Sequence, residues 1–159
     1  MGGGGRVDED RAGSGRVVTF LLAAQHALRS RFDDFRLALQ RENTTAAEIA
    51  LDDFEKTFRK WTEAEEQALM PALLRAEIPG RDIRRELRLE YVQIRELTRF
   101  LLQQIREGIR ATNLEGYVEN LGRRLSAHET EMQRVYYPAA ERTLTADEWK
   151  VLEAALPAP

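Results

Sequence analysis

Apolar residues recur at helical spacing from Val17 to Leu156, and Gly and Pro fall mostly between the periodic segments. In the first segment Leu21, Leu28, Phe32, Phe35 and Leu39 follow at intervals of seven, four, three and four, a stripe of the kind that faces a neighbouring helix. It predicts helix A from about Val17 to Glu42, ended by Asn43-Thr44-Thr45. Thr45 to Glu48 forms a capping box that opens helix B, with Phe54, Phe58, Trp61, Glu65, Leu69 and Ala72 on one face as far as about Ile78. Pro71 lies inside helix B and predicts a kink or local break. After the Pro79-Gly80 turn, helix C runs from about Arg81 to Arg110 on a stripe of Ile83, Leu87, Tyr91, Ile94, Leu97, Leu101 and Ile105. A second capping box, Thr112 to Glu115, opens helix D, which carries Leu121, Leu125, His128, Met132, Val135 and Ala139 to about Arg142, with Pro138 as a second bend. Thr145 to Glu148 caps a short last helix around Trp149, Val151 and Leu152.

No stretch alternates as a strand does. Four long helices joined by short loops are antiparallel neighbours, so the expected fold is all-α, an up-down-up-down antiparallel four-helix bundle with a short C-terminal helix. Residues 16–159 are expected to form that bundle, preceded by a flexible Gly-rich leader over residues 1–15.

Composition narrows the function. With 43% hydrophobic and 32% charged residues the chain reads as soluble and globular. A net charge of −3 provides no field for nucleic acid. No apolar run approaches the roughly 20 residues of a membrane span, and Met1 to Gly15 lacks a signal peptide's apolar centre, so a cytoplasmic protein is expected. Absence of Cys excludes disulfides, thiol nucleophiles and Cys-ligated metal. Two His exclude any site needing three imidazoles.

Polar residues interrupt the stripes. Glu65 lies in the seam of helix B between Trp61 and Leu69, and His128 in that of helix D between Leu125 and Met132. His26 falls four residues after Leu22, at the edge of the helix A seam. A carboxylate in an apolar layer costs several kcal/mol unless it is paired, protonated or bound to a cation. Counting from the turns at about 1.5 Å per residue brings His26, Glu65, Tyr91 and His128 to one mid-bundle level. Two His and one carboxylate form the facial ligand set of non-haem iron, and also suit Mn or Zn. The plainer alternatives are a hydrogen-bonded core His and a Glu paired with one of the many Arg.

These segments resemble the hemerythrin-like family over about residues 18–155. Helix A reads Leu-Leu-Ala-Ala-Gln-His26-Ala-Leu-Arg, similar to that family's first helix. Helix B, Trp61-Thr-Glu-Ala-Glu65-Glu66-Gln-Ala-Leu-Met-Pro71-Ala-Leu, is similar to its His-x-x-x-Glu-Glu segment ending in an aromatic-Pro-x-Leu. Helix C has Glu90-Tyr91 where the family has Glu-His, helix D has His128 with Pro138 ten residues on, and the chain ends in a similar Leu-Thr-Ala-Asp-Glu-Trp149. Trp61, Tyr91 and Met132 replace two imidazoles and a carboxylate of the family's di-iron site, so the resemblance implies one metal ion at most, held by His26, Glu65 and His128. Glu131 is a candidate fourth ligand. Tyr91 is a candidate catalytic residue, by ligating iron or by hydrogen-bonding an iron-bound species. Glu129 and Gln133 are weaker candidates, Glu66 is expected to face solvent or an Arg, and Tyr136 and Tyr137 are expected to pack.

The expected function is therefore that of a mononuclear non-haem iron protein binding or activating O2, H2O2 or NO, with peroxidase- or oxygenase-type turnover as one outcome. The rival is a metal-free degenerate bundle serving as an interaction or structural module, its His and Glu forming a hydrogen-bonded pair.

Overall fold

A computed structural model describes residues 7–158, and those residues form helices and connections with no strand. α1 (Val7–Gln40) starts at Val7 rather than Val17, so the leader expected over residues 1–15 is helical from Val7 onward, and residues 1–6 lie outside the description. Glu42 then takes a left-handed conformation (φ 56°) that stops the helix. α2 (Thr44–Ala64) is capped by Asn43, whose side chain accepts from the Ala46 amide (3.1 Å), and not by the Thr45 box.

α2 continues through a π turn (Glu65–Leu69) into α3 (Met70–Ala76), so Pro71 sets a π turn where the sequence predicted a kink. The cause is local. Proline has no N–H and its ring crowds the carbonyl four residues back, and the relaxed register survives as a Met70 N–H bond to the carbonyl of Glu65. The Pro79-Gly80 turn uses Gly80 at φ 72°, which a side chain would strain. α4 (Ile83–Arg106) follows, capped by Asp82, and Gly108 (φ 79°) turns the chain into α5 (Ala111–Glu131). The Thr112 box is not used there, since α5 starts at Ala111 with no side-chain cap. A second π turn (Met132–Tyr136) leads into α6 (Tyr137–Glu141), and α7 (Ala146–Ala155) is capped by Thr145 as expected.

α1 lies along α2, α2 on α4, α4 on α5, and α5 returns against α1. α7 covers α2 and the first π turn, with Trp149 on Phe20 (centroids 4.6 Å). Arg29 fastens α1 to α5 through Glu129 (3.1 Å) and Ser126 (2.7 Å). A ladder of rings runs through the core: Phe32 to Phe54 (6.0 Å), Phe54 to Phe58 (5.7 Å), Phe58 to Tyr91 (6.2 Å) and Tyr91 to His128 (5.5 Å). Burying each such side chain contributes roughly 1.5–3 kcal/mol, and the ladder ends at a polar layer.

Candidate functional site

The polar layer draws on Glu65 at the start of the first π turn, His128 ahead of the second and Tyr137 just after it. A residue before its π turn belongs to the incoming helical register and a residue after it to a shifted one, because the wide turn inserts an extra residue. Glu65 opens the first turn and is 2% exposed. On the other side His128 is buried one turn ahead of Met132, and the shifted register buries Tyr136 and Tyr137 and leaves Val135 only half-buried.

Glu65, His128, Tyr137, Gln25, Trp61 and Phe58 share a void of about 20 Å3. That is enough for roughly one water-sized species. His128 Nδ1 lies 2.6 Å from Glu90 Oε2, which fixes the ring's orientation from the side. A carboxylate behind an imidazole in this way both sets its tautomer and strengthens its other nitrogen as a donor or ligand. Three buried polar atoms of the layer have no hydrogen-bond partner: Glu65 Oε2, Tyr91 Oη and Gln25 Nε2. They come from three elements, the first π turn, α4 and α1. Orphaned buried atoms cost about 1–3 kcal/mol each, and a proton on Glu65 or an occupant beside it would lower that cost.

Burial pushes the Glu65 carboxyl up to about 7. The nearby His128 charge and the Tyr91 phenol oppose that rise and Glu90 adds to it. Tyr91 faces Glu65 closely enough to be felt, yet the pair falls short of a made hydrogen bond. The phenols of Tyr91 and Tyr137 are both raised well above their usual value, first by burial and next by the Glu65 charge. Gln25 opposes the rise at Tyr137, and its Oε1 accepts from Gln133 Nε2 (2.9 Å).

The expected ligands are only partly brought together. Glu65, Tyr91 and His128 meet in the layer. His26 does not, because it lies on the exposed side of α1 while Gln25 is buried. The seam of α1 is Leu21, Gln25, Leu28, Phe32, Phe35 and Leu39, a four-three alternation in which His26 stands one residue, about 100° of helix rotation, out of line. Leu22, which set the expected position of His26, is itself 37% exposed. Glu131 is also corrected: it pairs with Arg81 at the surface and does not face the void. Glu129 is taken by Arg29, Gln133 is exposed, and Glu66 is exposed with Arg88 at 3.9 Å. Trp61 is 1% exposed and lines the void, and Met132 is fully buried.

Gln25 escaped the sequence reading, although it was legible in the four-three spacing from Leu21 to Leu28. Tyr137 was expected to pack and does, but its place at the void was not legible, because it follows the π turn's register shift. Among the described residues no three His, Cys, Asp or Glu side chains gather as a metal-holding group, so a 2-His-1-carboxylate triad is not formed. A larger open groove of about 610 Å3 runs between α1 and α5, floored by Leu39 and Val118, and contains none of the expected ligands. Among the described residues no helix is long and apolar enough to cross a membrane. No protein-family model, curated protein or solved structure matches the chain.

Proposed function

We propose that the chain is a hemerythrin-like up-down-up-down four-helix bundle that holds one metal ion, iron first, between Glu65 and His128. One observation carries this reading: Glu65 and Gln25, each with an unpartnered buried polar atom, line a void of one-ion size together with an imidazole braced by a carboxylate. Glu65 and His128 would be the anchoring ligands, and a cation there removes the cost of burying the Glu65 charge. Two π turns at the layer add support, since such turns concentrate at functional sites in helical proteins. A bound iron would supply Lewis-acid charge and one-electron redox capacity. The void leaves no room for O2, H2O2 or NO beside an ion, so binding of those molecules would require the layer to open.

The second reading is a metal-free interaction or structural module. It is favoured by the displacement of His26 and the lack of a third strong ligand. A proton on Glu65 and one water would then fill the layer.

Metal analysis decides between them. Chain purified from iron-replete cells is expected to carry about one ion. Glu65→Ala and His128→Ala each lose it, and His26→Ala retains it. Folded chain that arrives metal-free and takes up none of Fe(II), Fe(III), Mn(II) and Zn(II) overturns the metal reading in favour of the module.

A further inference from the structure

α4 packs on α2 and α5, and its opposite face is uncovered among the described residues. That face reads Arg85, Leu89, Val92 and Glu96, at intervals of four, three and four, and all four are exposed. Leu89 is 54% and Val92 46% exposed. Phe100 continues the apolar surface one turn on, and its ring lies 4.8 Å from that of Tyr117 on α5, which is also exposed. Adjoining exposed apolar side chains rimmed by charge mark an interaction surface. The charged groups sort in the same way. On one flank of the face Arg88, Arg99 and Arg106 reach Glu66 (3.9 Å), Glu55 (3.6 Å) and Glu48 (2.8 Å). On the other flank Gln93 accepts from Arg124 (2.7 Å). Between the flanks, Arg85 and Glu96 make no ion pair among the described residues. We propose that this face of α4 binds a second copy of the chain, with the two α4 helices antiparallel. The interface is independent of the metal reading above.

Charge complementarity selects the occupant. A two-fold axis passing between positions 90 and 91 of the helix sets Leu89 of one protomer opposite Val92 of its partner, and Arg85 opposite Glu96. The symmetry makes each pair twice. The stripe is complementary to itself in that direction and register alone. A parallel pairing in register sets Arg85 on Arg85 and Glu96 on Glu96. An antiparallel shift of one heptad sets Leu89 against Arg85 or Arg99, and Val92 against Asp82 or Glu96. In the proposed register the apolar pairs exclude water at the centre of the contact. The flanking opposite charges then fix register and direction more than affinity. Phe100 and Tyr117 lie beyond Glu96 and extend the covered surface to α5. One helix face and one aromatic pair make a small interface beside the roughly 800 Å2 per partner of a standard one, so a reversible dimer of about micromolar affinity is expected.

The test is sedimentation equilibrium of the purified full chain over a concentration series from micromolar to near-millimolar. A monomer–dimer equilibrium is expected. Leu89→Glu puts a charge at the centre of the contact and is expected to weaken dimerisation by at least about tenfold. Arg85→Glu sets Glu against Glu, and Glu96→Arg sets Arg against Arg. Each is expected to weaken dimerisation severalfold, more at low salt than at high. The double variant Arg85→Glu, Glu96→Arg restores the opposite pairs and is expected to recover the wild-type dissociation constant within about threefold. All of these side chains are exposed, so folding is preserved and is checked by circular dichroism. A chain that stays monomeric throughout the series overturns the proposal and leaves the face to solvent or to a different protein. A dimer that Leu89→Glu does not weaken forms through another surface and also overturns it. Single charge reversals that the double variant fails to rescue overturn the antiparallel register and the proposal with it.

Discussion

Two helices of this protein use the same backbone device and divide the chemistry between them. Trp61, Glu65 and Pro71 on one, and His128, Met132 and Pro138 on the other, stand at the same spacing. In each, a π turn begins at the middle residue, six before the proline, and in each the residue just before the proline donates its N–H to that middle residue's carbonyl. The side chains are complementary. The first helix brings an aromatic ring and a carboxylate, and the second an imidazole and a thioether. The two helices therefore present one carboxylate and one imidazole to a single void, with Trp61 lining it and Met132 fully buried. The turn geometry follows from the proline and survives changes in what the turn presents. What each turn presents follows from a few side chains and is changed by single substitutions.

Placing a carboxylate on the second helix is expected to have the largest effect. Met132 is fully buried, so Met132→Glu places an unpaired charge or a forced proton in the core and is expected to cost several kcal/mol at neutral pH, read by urea denaturation. A cost below about 1 kcal/mol would show that the second helix can accept a charge as readily as the first, and the contrast between the two would fail.

Glu65 predicts a pH dependence of metal-free chain. Its folded pKa of about 7 lies above the ordinary value of 4.5, so the folded state holds the proton more tightly than the unfolded state does. The stability it contributes is full below about pH 4.5 and is lost as pH rises through about 7. The shift corresponds to roughly 3 kcal/mol. Glu65→Gln is expected to flatten the stability profile over that window. An unchanged slope in the variant would mean that Glu65 shares its charge with a partner.

The smallest effect concerns the shared device. Pro71→Ala and Pro138→Ala each restore an N–H, worth about 0.5–1.5 kcal/mol, and each lose the stiffness proline gives the unfolded chain. Both are expected to change stability by about 1 kcal/mol or less, and by similar amounts. A difference of several kcal/mol between them would show that the two turns are not equivalent.

How much of this was legible varies along the chain. The helices were read from period alone, because a helix buries one stripe whatever it packs against, and Phe32, Phe35, Phe54 and Phe58 are core residues for that reason. Glu65 and His128 were legible because a polar residue on such a stripe contradicts its neighbours. His26 was misplaced through reliance on Leu22, when Leu21, Gln25 and Leu28 define the seam.

The sequence by itself determined the helical class, the turn at Pro79-Gly80, and the places of Glu65 and His128 in the core. These depend on spacing and on backbone chemistry within a few residues. Only the tertiary structure decided that Glu90 braces His128, that Arg81 and Arg29 claim Glu131 and Glu129, and that Tyr137 reaches the void. Each of these depends on a partner 38 to 100 residues distant or on a one-residue register shift at a π turn. A one-residue shift turns a helical side chain by about 100°, enough to move it from a packed surface into a site.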